Sequence, residues 1–482
     1  MHSTTIQMPI PNPTPTLHFP LPAVPSAISR AVAVIGAGAA GLCAALELRR
    51  EGHSVVVYER QDKLGGTWAY TPQTEADPLG LDPTRNVVHS SVYASLRTNL
   101  PREVMGFRVY PFVASGKPGR DPRRFPGHEE VLEYLRDFAE EFELAEMVRF
   151  GREVCHVGKA ADDRRWVVKS KRKGGGDGDD QVYDAVVICN GHYSEPRIVD
   201  LPGNIRIMII CLGLGIEEWP GKQIHSHNYR VPDPFHDQVV VLIGSAASAD
   251  DISRDIAKFA KEVHVASRSA QIGKIPGHNN IWQHSMIKSV DREGRVNFHD
   301  GDKTIADVIL HCTGYKFSFP FLETNNAVSV DDNRVGPLYK HVFPPTLAPW
   351  LSFVGVPWKV LPFPLFELQT KWIAGVLSGR IALESTHQMT SDIQAFYLSL
   401  EAAGIPKRYT HKIGESYSQF EYDDWLAAKS GSPPIEEWRK QMYWASGRRK
   451  RSAPETYRDE WDDQDLMALA YQELNLFKVS VS

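Results

Sequence analysis

Two stretches of this chain share one design, and that repetition constrains the fold more than any other feature. "VAVIGAGAAGLCAALELRREGHSVVVYER" begins at Val32 and "VVVLIGSAASADDISRDIAKFAKEVHVASRS" begins at Val239. Each reads as a strand, a tight turn opening on glycine, a helix and a second strand. That order is the phosphate-cradling unit of a dinucleotide-binding fold. Its appearance twice predicts an α/β protein with two Rossmann-like domains, one inserted into the other. The expected boundaries are a Pro-rich tail over 1–27, an outer domain over 28–203 and 326–482, an atypical apolar segment over 204–216, and an inner domain over 217–325. The outer domain would hold one nucleotide and the inner domain the other.

In the first copy Gly36, Gly38 and Gly41 stand in G-x-G-x-x-G spacing. Gly36 permits the tight turn, Gly38 lets backbone approach a pyrophosphate, and Gly41 lets helix and strand pack closely. Ala37, Ala39 and Ala40 fill the remaining turn positions with small side chains, and the helix N-terminus supplies N–H groups and positive dipole. Glu59 ends the next strand about 20 residues on, where a carboxylate accepts from a ribose hydroxyl and repels a 2′-phosphate. The site therefore suits FAD or NAD rather than NADP. The following "KLGGTWAY", with Leu64, Gly65, Gly66 and Trp68, suits a large flat cofactor and favours FAD.

The second copy keeps Gly244 but replaces the other two glycines with Ala246 and Ala249. Ser245, Ala247 and Ser248 are also small, so backbone approach is degraded without being blocked, and serine hydroxyls can donate to phosphate. Downstream, Ser267 and Arg268 occupy the place of Glu59. An arginine there accommodates a 2′-phosphate and points to NADPH; the alternative is a decayed turn with a surface arginine. A hydride donor beside a flavin implies a reductase or an oxygenase. The five cysteines form no CxxC pair, so a dithiol reductase is excluded.

Composition narrows the partners. A formal net charge of −5 on 482 residues argues against nucleic acid or an anionic membrane surface. The scattered cysteines fit a reducing compartment, hence a cytoplasmic protein. A plastid address is the alternative, because the tail is acid-free, yet it is poor in arginine for a transit peptide. "NIRIMIICLGLGI" (204–216) is shorter than the roughly 20 residues of a membrane span and contains Arg206. "HEEVLEYLRDFAEEF" and the region from Ser391 onward have helical spacing. "RRWVVKSKRKGGGDGDDQVYDAVVICNG" reads as a hairpin and a buried strand. "GRRKR" (447–451) is expected as a solvated loop rather than a nuclear signal.

Four further motifs carry a family resemblance. "WPGKQIHSHNY" fits the pattern F-x-G-x-x-x-H-x-x-x-[YF] through Gly221, His225 and Tyr229, with Trp219 in place of the leading Phe. "LRTNLPREVMGF", "TGYKFSFPFL" and "FELQTKWIAGVLSG" follow in order around it. From Val32 to about Ser430 the chain resembles the flavin-dependent monooxygenases of the FMO type, above all their plant S-oxygenating branch of glucosinolate and cysteine-sulfide S-oxygenases. The resemblance implies that NADPH reduces FAD, that O2 then gives a C4a-hydroperoxide, and that a soft nucleophile, usually sulfur, takes up the distal oxygen. It places Asn99 beside the flavin as the one catalytic side chain, donating a hydrogen bond. His225 and Tyr229 would shape the NADP site, and Val154, Thr313 and Gln369 would join the cofactor contacts. No nucleophilic triad and no metal cluster is expected. The expected substrates are O2 and a small sulfide. N-oxygenation, keto-acid decarboxylation, and an uncoupled NADPH oxidase or pseudoenzyme are the alternatives.

Besides Trp219, the chain departs from the family in an insertion. Family members run from "LPG" almost directly into "IxxWPG", whereas here Asn204–Gly215 intervenes. It reads as an extra buried strand, a surface flap over the cofactor cleft or a splicing irregularity; the flanks rejoin cleanly without it, which favours the last two, and its deletion is expected to leave or improve soluble, FAD-loaded protein. "VPWKVLPFPLFE" (Val356–Glu367) is read as either pocket lining or plain core.

Overall fold

A computed structural model describes residues 28–172, 178–199, 219–268, 271–414 and 418–480. The Pro-rich tail, the hairpin tip and the apolar segment 204–216 lie outside the described residues.

The β-branched runs AVAVI and SVVVY become adjacent parallel strands, Ala31–Ile35 and Ser54–Tyr58, joined by the helix Ala39–Arg50. They sit in a five-stranded parallel sheet of spatial order 351–353, 185–188, 31–35, 54–58, 148–149. Strand Ala185–Ile188 is buried along its whole length, as continuous apolar strands of a covered parallel sheet are. From there the chain departs to build a six-stranded sheet of order 273–274, 281–284, 262–266, 239–243, 308–311, 222–225. It then returns, and Leu351–Phe353 pairs with Ala185–Ile188 as the edge of the first sheet. Two sheets, the second built from chain between two strands of the first, are the α/β architecture read from the sequence.

The linkers out of and into the second sheet are zipped together. Arg197 N donates to Gly314 O at 3.0 Å and Lys316 N to Glu195 O at 2.8 Å, and the Thr313 hydroxyl donates to the Arg197 carbonyl. A three-stranded antiparallel sheet, Arg152–Lys159, Trp166–Arg172 and Asp179–Tyr183, covers the first sheet. Its hairpin was legible in the sequence.

Helix Ala39–Arg50 is buried over nine of its residues and packs on helix Pro362–Leu377, where Leu42, Leu46 and Trp372 are wholly enclosed. Burying side chains of this size stabilises by roughly 1.5–3 kcal/mol each. The C-terminal region is helical as expected, over Thr386–Ala402, Gln419–Ser430, Glu437–Ser452 and Gln464–Ser480. The expected loop at "GRRKR" is instead the end of helix Glu437–Ser452. Arginine and lysine are good helix formers, and Arg449, Lys450 and Arg451 in the last turn meet the negative end of the helix dipole. Among the described residues no helix is long and apolar enough to cross a membrane.

Candidate functional site

The first glycine turn is built by backbone demands that only glycine meets. Gly36 sits at φ +107°, and a Cβ there would stand 2.6 Å from the Cys189 carbonyl oxygen. A Cβ on Gly41 would overlap the Gly36 carbonyl. Gly38 differs: φ is −77°, and its Cβ would meet only the Gly66 backbone, its Cα at 3.5 Å and its N at 3.8 Å, ordinary contacts. The neighbouring turn Gly65–Trp68 lies directly over Gly38, with Gly65 at φ +115°. Leu64 and Trp68 are half-buried beside it. No side chain caps the helix start at Ala39–Ala40–Gly41, so its N–H groups remain available to an anion. These residues fit a dinucleotide pyrophosphate.

Glu59 is buried, and its two carboxylate oxygens accept from Ala37 N at 2.9 Å and Gln61 N at 2.8 Å. Burial pushes its pKa up, and these N–H donors oppose the shift. The carboxylate thereby ties strand end to turn and keeps further lone pairs for a hydroxyl. Arg152 N donates to Glu59 O at 2.8 Å, so the strand carrying half-buried Val154 starts at this same corner.

The second turn reproduces the first in backbone geometry. Gly244 has φ +115°, and its Cβ would stand 2.5 Å from the Cys312 carbonyl oxygen, the counterpart of Gly36 against Cys189. Ala246 takes φ −83°, ψ −176°, against φ −77°, ψ −173° for Gly38. An L side chain is therefore unstrained there, and Ala249 is fully buried without overlap. The helix Ala247–Ile256 likewise lacks a side-chain cap. Ser245, Ala246 and Ala247 are exposed and Ser248 is half-buried, so this cradle opens to solvent. Ser267 is buried at the end of the next strand. Arg268 is exposed, and its guanidinium donates to the Tyr409 hydroxyl at 2.9 Å. That contact holds the Tyr409 pKa below its usual value.

His225 and Tyr229 are buried rather than open to a ligand. His225 Nδ1 accepts from His227 N at 3.0 Å, and desolvation lowers its pKa to about 3. The imidazole is neutral at physiological pH. Tyr229 donates to Asp255 at 2.7 Å, and burial raises its pKa. Neither group is poised to carry protons near neutrality. Gly221 has its own reason: the indole of Trp219 lies where its Cβ would be. The motif's unforeseen members do the docking. His227 meets Glu75 at 3.1 Å, and Asn228 accepts from Glu75 N at 2.9 Å. Arg230 donates to the carbonyls of Thr71 and Ser90, at 2.8 and 2.9 Å. The stretch Trp219–Arg230 thus clasps the loop over residues 71–90 of the outer unit.

Asn99 is exposed, between Thr98 and Leu100, and the Thr98 hydroxyl donates across it to Leu100 O at 2.8 Å. Gln369 is fully buried and spent on packing: its Oε1 accepts from Gly355 N at 2.9 Å and its Nε2 donates to Tyr422 at 3.1 Å. Thr313 is spent on the hinge. The stretch Val356–Glu367 is mostly core, since Val356, Leu361, Phe363, Leu365 and Glu367 are all buried. Sequence reading expected no metal cluster, yet ligand atoms of His284, Asp300 and Asp302 lie within 4.8 Å of one another. Asp300 is held there by accepting from Ser285 N at 2.8 Å and Asp302 N at 3.0 Å. No motif spacing announces a group that only a strand and a neighbouring hairpin bring together.

The comparisons agree with this geometry. A family model described as flavin-binding monooxygenase-like matches residues 29–276 and 273–430. The Arabidopsis thaliana flavin-containing monooxygenase FMO GS-OX-like 4 is 60% identical over 456 residues, spanning 93% of this chain and 98% of the relative. The structure of S-allyl-L-cysteine S-oxygenase from Allium sativum is 58% identical with a TM-score of 0.88, covering 93% of this chain and 99% of that one. Tmm from Pelagibacter sp. strain HTCC7211 has a TM-score of 0.72 at 25% identity, covering 89% and 93%. The matched model runs across both sheets and the relatives align almost end to end, so this chain belongs to the flavin-binding monooxygenase family and is an oxidoreductase that uses FAD and NADPH.

Proposed function

We propose that the protein S-oxygenates small thioethers at the expense of NADPH and O2. The observation that carries this reading is the 58% identity to S-allyl-L-cysteine S-oxygenase over 93% of the chain. The FMO GS-OX relatives support it. FAD, when bound and reduced by NADPH, supplies activation of O2, giving one oxygen atom to the sulfide and the other to water.

The chain's own residues bind, orient and insulate. The turn Gly36–Gly41, with Leu64, Gly65 and Trp68 against it, seats the FAD pyrophosphate, and Glu59 accepts from a ribose hydroxyl. Val154, on the strand that starts at the Glu59 corner, would flank the adenosine end. Gly244–Ala249 seats the NADPH pyrophosphate, and Ser267 with Arg268 receives the 2′-phosphate. Asn99, exposed on its loop, would donate a side-chain hydrogen bond where negative charge develops on oxygen. Gln369, Thr313, His225 and Tyr229 act by holding backbone and domains in place. Burial of His225 as a neutral ring keeps a charge out of the interface. The free thiols Cys43, Cys155, Cys189 and Cys312 support a cytoplasmic location, which cell fractionation tests.

The test follows NADPH loss, H2O2 release and sulfoxide by mass spectrometry over a thioether panel that includes S-allyl-L-cysteine. Sulfoxide matching NADPH consumed is the expected result. Peroxide matching NADPH, with no sulfoxide from any thioether, overturns it in favour of an NADPH oxidase.

A further inference from the structure

The chain beyond helix Glu437–Ser452 does not trail away. Residues 453–463 cross between the two nucleotide-binding units before the last helix begins. Tyr457 and Trp461 anchor the crossing on Phe125 of the outer unit, with ring centroids 5.7 Å apart in both pairs. Asp459 accepts from Nη1 and Nη2 of Arg97, at 3.0 and 2.7 Å, and Asp463 accepts from Nη1 and Nη2 of Arg124, at 2.7 Å each. Toward the inner unit, Glu455 accepts from Arg254 at 2.8 Å, and Lys450 pairs with Asp250 at 3.2 Å. Arg254 and Asp250 belong to the helix that starts at the second turn.

Arg458 joins the two sets of contacts in one side chain. Its Nε donates to Thr98 O at 2.9 Å, the carbonyl bonded to Asn99. Its Nη2 donates to Asp251 Oδ2 at 2.7 Å, on the first turns of helix Ala247–Ile256. The same Asp251 oxygen accepts from Tyr93 at 3.1 Å, and Ser95 donates to Asp255 at 2.6 Å. The loop that carries Asn99 is therefore tied to the NADPH helix at three points, and among the described residues Arg458 is the side chain that bonds both that helix and the Asn99 peptide. A guanidinium suits this because it forks between two acceptors, which an ammonium cannot do in the same geometry.

We propose that Arg458 is a positioning residue for oxygen transfer: it couples the placement of the NADPH helix to the placement of Asn99, so that oxygen activation is productive only when both are in register. The proposal rests on the roles given above to Asn99 and the second turn. Loss of the fork leaves each nucleotide seat intact and frees the Asn99 peptide, which predicts leakage of reduced oxygen as H2O2 rather than loss of cofactor.

The experiment compares the wild-type holoenzyme with Arg458→Ala, Arg458→Lys, Asp251→Asn, the Arg458→Ala/Asp251→Asn double variant and Asn99→Ala. Flavin content, thermal midpoint, NADPH KM and H2O2 released per NADPH are read for each, with S-allyl-L-cysteine as substrate. Arg458→Ala is expected to keep its FAD and to raise peroxide per NADPH about fivefold, the lower end of coupling between two sites. Asp251→Asn should do the same, the double variant should add little, and Arg458→Lys should restore the coupling only in part. Unchanged peroxide per NADPH in FAD-loaded Arg458→Ala overturns the proposal, as does full restoration by lysine or strict additivity in the double variant. A fall in midpoint and flavin content without a change in that ratio also overturns it, because it marks a merely structural tie. Absence of sulfoxide from the wild type would instead count against the S-oxygenase reading, and an unaltered Asn99→Ala enzyme against the role of Asn99.

Discussion

Gly38→Ala separates the fold from the function of the first turn. The backbone at Gly38 is extended, at φ −77°, ψ −173°, and Ala246 holds the same conformation in the second copy. A Cβ at position 38 would touch only the Gly66 backbone, its Cα at 3.5 Å and its N at 3.8 Å. The apoprotein is thus expected to fold, and to gain about 0.4–1 kcal/mol because alanine restricts the unfolded chain. The methyl group, however, would stand where, on the assignment proposed above, backbone N–H groups meet the pyrophosphate. Loss of two hydrogen bonds to a charged acceptor, at about 1.5 kcal/mol each, weakens FAD binding by about 100-fold. The assay is flavin absorbance per chain after gel filtration, with thermal midpoints taken with and without added FAD. The apo midpoint should hold or rise, while the increment given by FAD shrinks, since ligand stabilisation follows occupancy. One FAD per chain at wild-type affinity would refute the pyrophosphate assignment. Gly36→Ala and Gly41→Ala cannot serve this purpose. The first forces alanine to φ +107° against the Cys189 carbonyl and the second overlaps the Gly36 carbonyl, so both are expected to lose the fold along with the cofactor.

Arg268→Ala should raise the NADPH KM about 10- to 100-fold, the worth of one charge-assisted hydrogen bond to phosphate, with little change for NADH; equal effects on both would remove Arg268 from the 2′-phosphate site. Gln369→Ala leaves the buried Gly355 N–H without its acceptor and should cost about 1–3 kcal/mol, read from the midpoint of urea unfolding; no shift would contradict the packing role given to Gln369. Burial lowers the folded-state pKa of His225 and His341 to about 3, of His311 to about 4, and of His411 well below its usual value. Their neutral burial is without penalty above an unfolded pKa near 6.5, and below it the unfolded chain takes up protons that the folded chain refuses. Stability should therefore fall as pH drops from about 6.5 towards 4, by about 1.4 kcal/mol per pH unit for each histidine; a thermal midpoint that is flat between about pH 7 and 5 would show that these rings accept protons in place.

What the sequence disclosed was whatever the backbone imposes locally. The strand–turn–helix units, the glycines at Gly36 and Gly244, the buried strand Ala185–Ile188 and the helix from His128 follow from periodicity and from φ values that few residues tolerate. Side-chain partnerships across the fold left no such trace. Tyr409 lies 141 positions beyond the arginine it meets, and Arg458 lies 207 beyond Asp251. The histidine motif was legible as a pattern, but its reading fell on His225 and Tyr229, which turn inward. His227, Asn228 and Arg230, which clasp the loop over residues 71–90, became visible only once their acceptors were in place. The "GRRKR" run misled because charge was read as solvation, although the same residues favour helix and sit where a helix end attracts cations.

The two turns share a backbone and differ in surroundings, and that difference accounts for the missing glycines. At the first turn Ala37 and Gly41 are buried, and Gly66 presses from above with a would-be Cβ 3.0 Å from Gly38 Cα. A ligand seated there is enclosed from two sides, so every added methyl group competes with it for space. At the second turn Ser245, Ala246 and Ala247 are exposed, so the turn is less enclosed than the first. Ala246 costs no strain, and Ala249 is fully buried in the core of the second sheet. Enclosure slows release and suits a cofactor retained through every cycle, whereas an open cradle suits a hydride donor that must be exchanged, which is the role proposed above for the second turn with Arg268. The alanines of the second copy are therefore compatible with a working site of lower grip rather than marks of decay, and the retained Gly244 sits at the one position where backbone geometry left no choice.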